Sequence, residues 1–159
     1  MTRIVIVGGG YAGFYTAFKL QKLLARGEAE VVVIDPLPYM TYQPFLPEVA
    51  AGSIEARHAI VPLRRHLNKC RVITARVTGI DHQKKSVTVT PEGQADFSLD
   101  YDHIVFTAGA VSRTFPIPGV ADCAIGMKTI EEAVSVRDRL IDNLHLAADM
   151  PAGPARDRL

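Results

Sequence analysis

Three glycines near the start of the chain, Gly8, Gly10 and Gly13, stand at the spacing GxGxxG, with Gly9, Tyr11 and Ala12 between them. The pattern suits binding rather than bond-breaking. In a strand–turn–helix context Gly8 permits a tight turn, Gly10 lets the backbone approach a pyrophosphate, and Gly13 lets the helix pack closely on the strand. An anion bound there meets free N–H groups and the positive end of a helix dipole. Asp35 follows at the distance where a carboxylate accepts hydrogen bonds from ribose hydroxyls and repels a 2′-phosphate, which disfavours NADP and leaves FAD or NAD.

Other chemistries lack their residues. Cys70 and Cys123 are far apart, form no CxxC pair and have no regularly spaced histidines, so a zinc site, a redox dithiol and a disulfide framework are unsupported; no metal site is expected. A reducing cytoplasm fits this cysteine usage. Lys and Arg number 18 against 17 acidic residues, and a net charge of +1 gives no broad attraction to nucleic acid or to an anionic membrane.

The elements that must position these residues are legible from periodicity. Ile4 to Val7 is a β-branched run of the kind buried on both faces of a parallel sheet. Tyr11 to Arg26 carries apolar residues at helical spacing, with Gly27 placed to end the helix, and Val31 to Ile34 is a second buried strand. These make a βαβ unit. The uncharged run from Ile4 to Phe18 holds four glycines and is too short for a membrane span of roughly 20 residues. Pro36 to Pro47, rich in proline and aromatics, reads as an ordered loop, and Pro62 to Leu67 as a short helix.

Arg71 to Ile80, Ser86 to Thr90 and Phe97 to Asp100 read as an antiparallel meander, and Ile104 to Phe106 as a further buried strand. Thr129 and Glu132 form a capping box before a helix that continues to Pro151. With 159 residues and 22% charged, the chain suits one globular α/β domain over residues 1–150; residues 151–159 read as a tail or a truncation point.

Beyond the fingerprint, the strand Tyr101–Ala110 resembles the second characteristic segment of flavoproteins with two dinucleotide-binding folds. Tyr42–Gly52, Arg113–Gly119 and Gly126–Ala133 resemble type II NADH dehydrogenases (NADH:quinone oxidoreductases), within the FAD-dependent pyridine nucleotide-disulfide oxidoreductase superfamily. The resemblance covers Thr2 to Ala148. It implies a Rossmann-like FAD-binding domain, a parallel sheet with an inserted antiparallel β-meander. Within it, pyrophosphate would lie at Gly8 to Gly13, ribose at Asp35, adenine near the Val77 backbone, and the flavin near Tyr42, Gln43, Pro44 and Thr107, Ala108, Gly109. Gln43 stands out as a contact on the flavin edge or acceptor side, with a buried glutamine satisfying the loop backbone as the alternative.

The family passes electrons from NADH through FAD to a membrane quinone. A second GxGxxG and C-terminal membrane-attaching segments are not in this sequence, so this chain alone is expected to be inactive. The resemblance implies a cytoplasmic protein whose complete form lies peripherally on the cytoplasmic face of the cell membrane, touching it only through those C-terminal segments, and it allows a homodimer. The FAD domain of a ferredoxin- or rubredoxin-type reductase shares these motifs, and a non-catalytic dinucleotide-binding module is the remaining alternative.

Overall fold

The computed structural model describes residues 1–158, which group into two compact units, Met1–Met40 with Val61–Ala110, and Thr41–Ile60 with the residues from Val111 onward. In the first unit, strand β1 (Thr2–Val7) leads through the glycine turn into helix α1 (Tyr11–Leu23) and strand β2 (Ala29–Asp35). Strands β5 (Arg71–Thr74) and β9 (His103–Phe106) complete a parallel sheet of order β5-β2-β1-β9.

Side-chain alternation gives this sheet a core on each face. Val5, Val7, Val32 and Ile34 point to one side, where they pack with Val87, Val89, Leu99 and Tyr101. Those partners come from or adjoin the antiparallel meander β6 (Arg76–Asp81), β7 (Ser86–Thr90) and β8 (Phe97–Asp100). Ile6, Val31 and Val33 point the other way, onto Phe14 and Ala17 of α1 and Leu63 and Leu67 in and after helix α3 (Leu63–His66). Burial on both faces is the reason β1 and β2 read as unbroken apolar runs.

Three elements depart from expectation. Helix α1 stops at Leu23 rather than Arg26, because the Glu28 carboxylate accepts from the Ala25 N–H (2.8 Å) while the Glu28 N–H donates to the Ala25 carbonyl (3.2 Å), closing a turn. The β-rich stretch Arg71 to Ile80 is two strands, β5 in the parallel sheet and β6 in the meander. They part at Ala75, whose N–H donates to the Asp35 carbonyl (3.0 Å). Pro36 to Pro47 is not a plain loop but contains strand β3 (Tyr39–Thr41), a 3₁₀ turn at Gln43–Phe45 and the start of helix α2 (Leu46–Ala50). Prolines at the first helical positions are tolerated there because the missing N–H has no intrahelical partner. Strand β4 (Ile60–Pro62), which pairs with β3, also goes beyond the periodicity.

The second unit is helical. Besides α2 it holds the short helix α4 (Val120–Cys123) and the long helix α5 (Ile130–Asp149). Leu46, Val49 and Ala50 of α2, with Ala59 and Ala133, form its buried cluster, which Ile54, Ile130 and Val134 flank. The start of α5 is fixed by the expected capping box. The Glu132 N–H donates to Thr129 Oγ1 (3.2 Å) and the Thr129 N–H to Glu132 Oε2 (2.9 Å), and that same oxygen accepts from the Lys128 N–H. Arg156–Arg158 form a 3₁₀ turn, and the expected tail ends at Leu159, outside the described residues.

Candidate functional site: a glycine turn at the switch point of the sheet

β1 runs out at Gly8, whose N–H donates to the Ile34 carbonyl at 2.8 Å. Its φ of +100° is a conformation only glycine adopts readily, and a Cβ there would run into the Thr107 carbonyl. Gly9 is buried. Its N–H donates to Asp35 Oδ2 at 2.6 Å, and a Cβ would come within 2.7 Å of the Leu63 side chain. At Gly13 a Cβ would overlap the Gly8 carbonyl oxygen and lie 2.7 Å from Thr107 Oγ1, so helix and turn meet backbone to backbone. Gly10 differs from all three. It is exposed, it caps α1 without a side chain, and a Cβ on it would meet no atom within 4 Å.

The turn is clamped from the neighbouring strand. Thr107 donates through its N–H to the Val7 carbonyl (2.8 Å) and lies with its hydroxyl within hydrogen-bond distance of the carbonyls of Val7 (2.9 Å) and Gly8 (3.0 Å). Its polar groups are thus turned onto β1, while Ala108 and Gly109 after it are exposed. Asp35, at the end of β2, accepts from Gly9 with one carboxylate oxygen and from the Leu37 N–H with the other (2.8 Å). A carboxylate has about four acceptor positions, so two remain for hydroxyl donors.

The location carries chemical meaning. The chain runs from β1 to β2 and β5 on one side and places β9 on the other, so the strand order reverses between β1 and β9. Open α/β sheets bind ligands in the crevice at the carboxyl ends of the strands at such a point. Gly8 and Thr107 flank it. The open space over Gly10, next to the first turn of α1, fits a phosphate approaching backbone N–H groups, and the residues present therefore suit a dinucleotide.

The structure brings Gly8, Gly9, Gly10, Gly13, Asp35, Thr107 and Ala108 together at this turn; Tyr11 and Ala12 open the helix. Val77 lies in β6 at an irregularity of the ladder, its side chain against the meander-side core. Tyr42, Gln43 and Pro44 belong to the second unit. There the Tyr42 N–H donates to the Ala59 carbonyl (2.7 Å) and its ring meets Phe45 edge-on at 4.9 Å. Gln43 is exposed, which removes the alternative of a buried glutamine satisfying the loop. Sequence reasoning missed Leu63, which closes on Gly9, and the inward bonding of Thr107. Neither had a local signal, since both contacts join residues far apart in the chain.

Both cysteines are free thiols. Cys70 sits under α1 with Sγ 3.8 Å from the Ala17 carbonyl, and burial pushes its pKa up, away from nucleophilic use.

A parallel sheet with a glycine turn at its switch point and a meander before the last strand is a Rossmann-like arrangement of the kind that binds dinucleotides. Residues 2–147 match the pyridine nucleotide-disulphide oxidoreductase family, and the chain belongs to that family. The family is FAD-dependent, and the fold here is consistent with FAD.

Among curated relatives, an external alternative NAD(P)H-ubiquinone oxidoreductase, B3, of Arabidopsis thaliana mitochondria is 34% identical over 156 residues, covering 92% of this chain and 26% of the relative. A demethylphylloquinone reductase of Synechocystis is 30% identical over 87% of this chain and 35% of its own length. The chain thus spans about a quarter to a third of these relatives. In fold it resembles NDH2 of Plasmodium falciparum, solved in complex with NADH (TM-score 0.85, 23% identity, 98% of this chain and 32% of that one). It also resembles the sulfide:quinone oxidoreductase of Aquifex aeolicus (TM-score 0.78, 24% identity, 91% of this chain and 33% of that one).

Proposed function

We propose that residues 1–150 form the FAD-binding domain of a flavoprotein oxidoreductase that passes electrons from NADH through FAD to a membrane quinone. The observation that carries this reading is the glycine turn, closed to side chains at Gly8 and Gly13 and open at Gly10, in a chain whose relatives are named ubiquinone and demethylphylloquinone reductases. FAD, when bound, supplies the hydride acceptor and the electron store.

The chain's own residues would bind and orient. Backbone N–H groups from Gly10 into the first turn of α1 face the pyrophosphate, the remaining acceptor positions of Asp35 take ribose hydroxyls, and the Val77 backbone lies toward adenine. Thr107, Ala108 and Gly109 support the flavin through their backbone, since the Thr107 hydroxyl is turned onto β1. For Tyr42, Gln43 and Pro44 the family resemblance supports a flavin contact, and the exposed Gln43 amide is the group suited to the flavin edge or the acceptor side. Among the described residues no helix is long and apolar enough to cross a membrane. The family resemblance supports a complete protein that is peripheral, on the cytoplasmic face of the cell membrane.

The test is cofactor release and turnover with the complete protein. Mild denaturation is expected to liberate FAD, and Gly10→Val to abolish most FAD retention by filling the open space above the turn. Bound NAD without flavin would overturn the assignment. NADH oxidation is expected to proceed with quinone alone; a requirement for a protein electron carrier would favour the ferredoxin-reductase reading.

A further inference from the structure

The overall charge of +1 hides an uneven distribution. Residues 11–27 contain Lys19, Lys22 and Arg26 with no acid, and residues 61–80 contain Arg64, Arg65, Lys69, Arg71 and Arg76, again with no acid. The two segments lie side by side. Gln21, buried in α1, donates from Nε2 to the His66 carbonyl (2.8 Å) and accepts from the Lys69 N–H (3.3 Å), and Arg26 and Lys69 line one surface recess beside it.

On α1, Tyr15, Lys19, Lys22 and Leu23 recur at i, i+4, i+7 and i+8, which is one face of a helix, and Arg26 continues it in the turn beyond. That face is turned outward: Leu23 is 79% and Tyr15 51% exposed. Lys22 holds its ammonium over the Phe18 ring, 3.9 Å from the centroid. Lys19, Lys22, Arg26, Arg65 and Lys69 form no ion pair among the described residues. The nearby acids are engaged elsewhere, Glu28 with the Ala25 N–H and Glu30 with Arg3 and Arg71.

We propose that this face of α1, with the α3–β5 segment beside it, docks on an anionic phospholipid bilayer. An exposed leucine and tyrosine set among lysines and arginines on long flexible stems is the composition that seats at a headgroup layer, with the apolar groups dipping in and the cations over lipid phosphates. Arg26 and Lys69 line the same recess, where a phosphodiester would meet two cationic side chains. A headgroup layer meets the apolar groups of Tyr15 and Leu23 with its acyl boundary and the surrounding cations with its phosphates in one contact. The inference stands on charge and exposure and needs no assumption about quinone; it adds a contact made by this domain itself to any made by other segments of a complete protein.

The experiment is co-sedimentation of the chain with vesicles of phosphatidylcholine alone and of phosphatidylcholine mixed equally with phosphatidylglycerol, free of quinone. Binding is expected to the mixed vesicles only and to fall as salt is raised. Each Lys or Arg near an anionic surface raises partitioning about fivefold, so the pair Lys22→Glu, Arg26→Glu is expected to lower it by about 25-fold or more. The pair Arg65→Glu, Lys69→Glu should do the same, with far-UV circular dichroism unchanged in both. The pair Lys84→Glu, Lys85→Glu lies in the β6–β7 turn, and the meander packs on the opposite face of the sheet from α1; this pair is expected to leave partitioning within about twofold. Equal binding to neutral vesicles, or an equal loss in all three pairs, would overturn the proposal. So would retention on immobilised polyglutamate without vesicle binding, which would point to an acidic protein instead.

Discussion

In the first unit a parallel sheet carries a buried cluster on each face, whereas in the second α2 and α5 share one cluster, and much of what lies beyond it is exposed. Phe115 is 76% exposed and Leu144 61%, although both are large and apolar. The contrast extends to the candidate site residues. Among the proposed site residues, the glycines and Thr107 of the first unit present backbone held by close packing and Asp35 presents a carboxylate, while Tyr42, Gln43 and Pro44 offer exposed side chains at a short helical turn. Backbone sites tolerate little change in shape; side-chain sites tolerate change until the particular functional group is lost.

The comparison is broken most directly in the cores. Ile34→Ala, at a fully buried position between β1 and β5, is expected to cost about 4 kcal/mol of stability in urea denaturation. Leu46→Ala in α2 is expected to cost about 2.5 kcal/mol, with hydrogen exchange accelerating in α2 and α5 but not in β1 and β2. Uniform acceleration would show that the two units unfold together. Asp35→Asn is expected to weaken FAD binding by about 1–3 kcal/mol, measured by equilibrium titration of the apoprotein, since it removes a charged acceptor for hydroxyl donors. Thr129→Ala, which breaks the capping box, should cost about 1 kcal/mol and fray the first turn of α5, read by exchange at Glu132. The mildest test uses the thiols: Cys123, exposed in the second unit, is expected to react with a disulfide reagent at pH 8 at least about tenfold faster than Cys70, whose pKa burial raises. Equal rates would place Cys70 in the open.

What could be read from the residues and what could not divides along range. The β1–α1–β2 unit is legible because its signals are local: β-branched runs, three glycines and helical spacing. The capping box is legible because Thr129 and Glu132 are three residues apart. The break at Ala75 has no local mark, since Arg71 to Ile80 is β-rich throughout and only pairing with β2 separates β5 from β6. In the Pro36 to Pro47 stretch, proline content alone does not tell a loop from the helix starts that Pro44 and Pro47 mark. At the site, the glycine spacing showed where backbone must come close, but not that Gly9 would spend its N–H on Asp35, 26 positions on. The division into two units joins segments distant in sequence, and no windowed pattern reports it.

That Gly9 to Asp35 bond bears on timing. A glycine-rich loop left loose would have to be immobilised by each arriving ligand, and the lost freedom would weaken binding. Here the end of β2 pins the loop in advance, from a strand whose own position is set by the cores. The turn itself is therefore ordered before any ligand reaches it. Association should then proceed as a single encounter step with a rate linear in concentration, and differences in affinity among nucleotides should appear in how long each stays rather than in how fast each arrives.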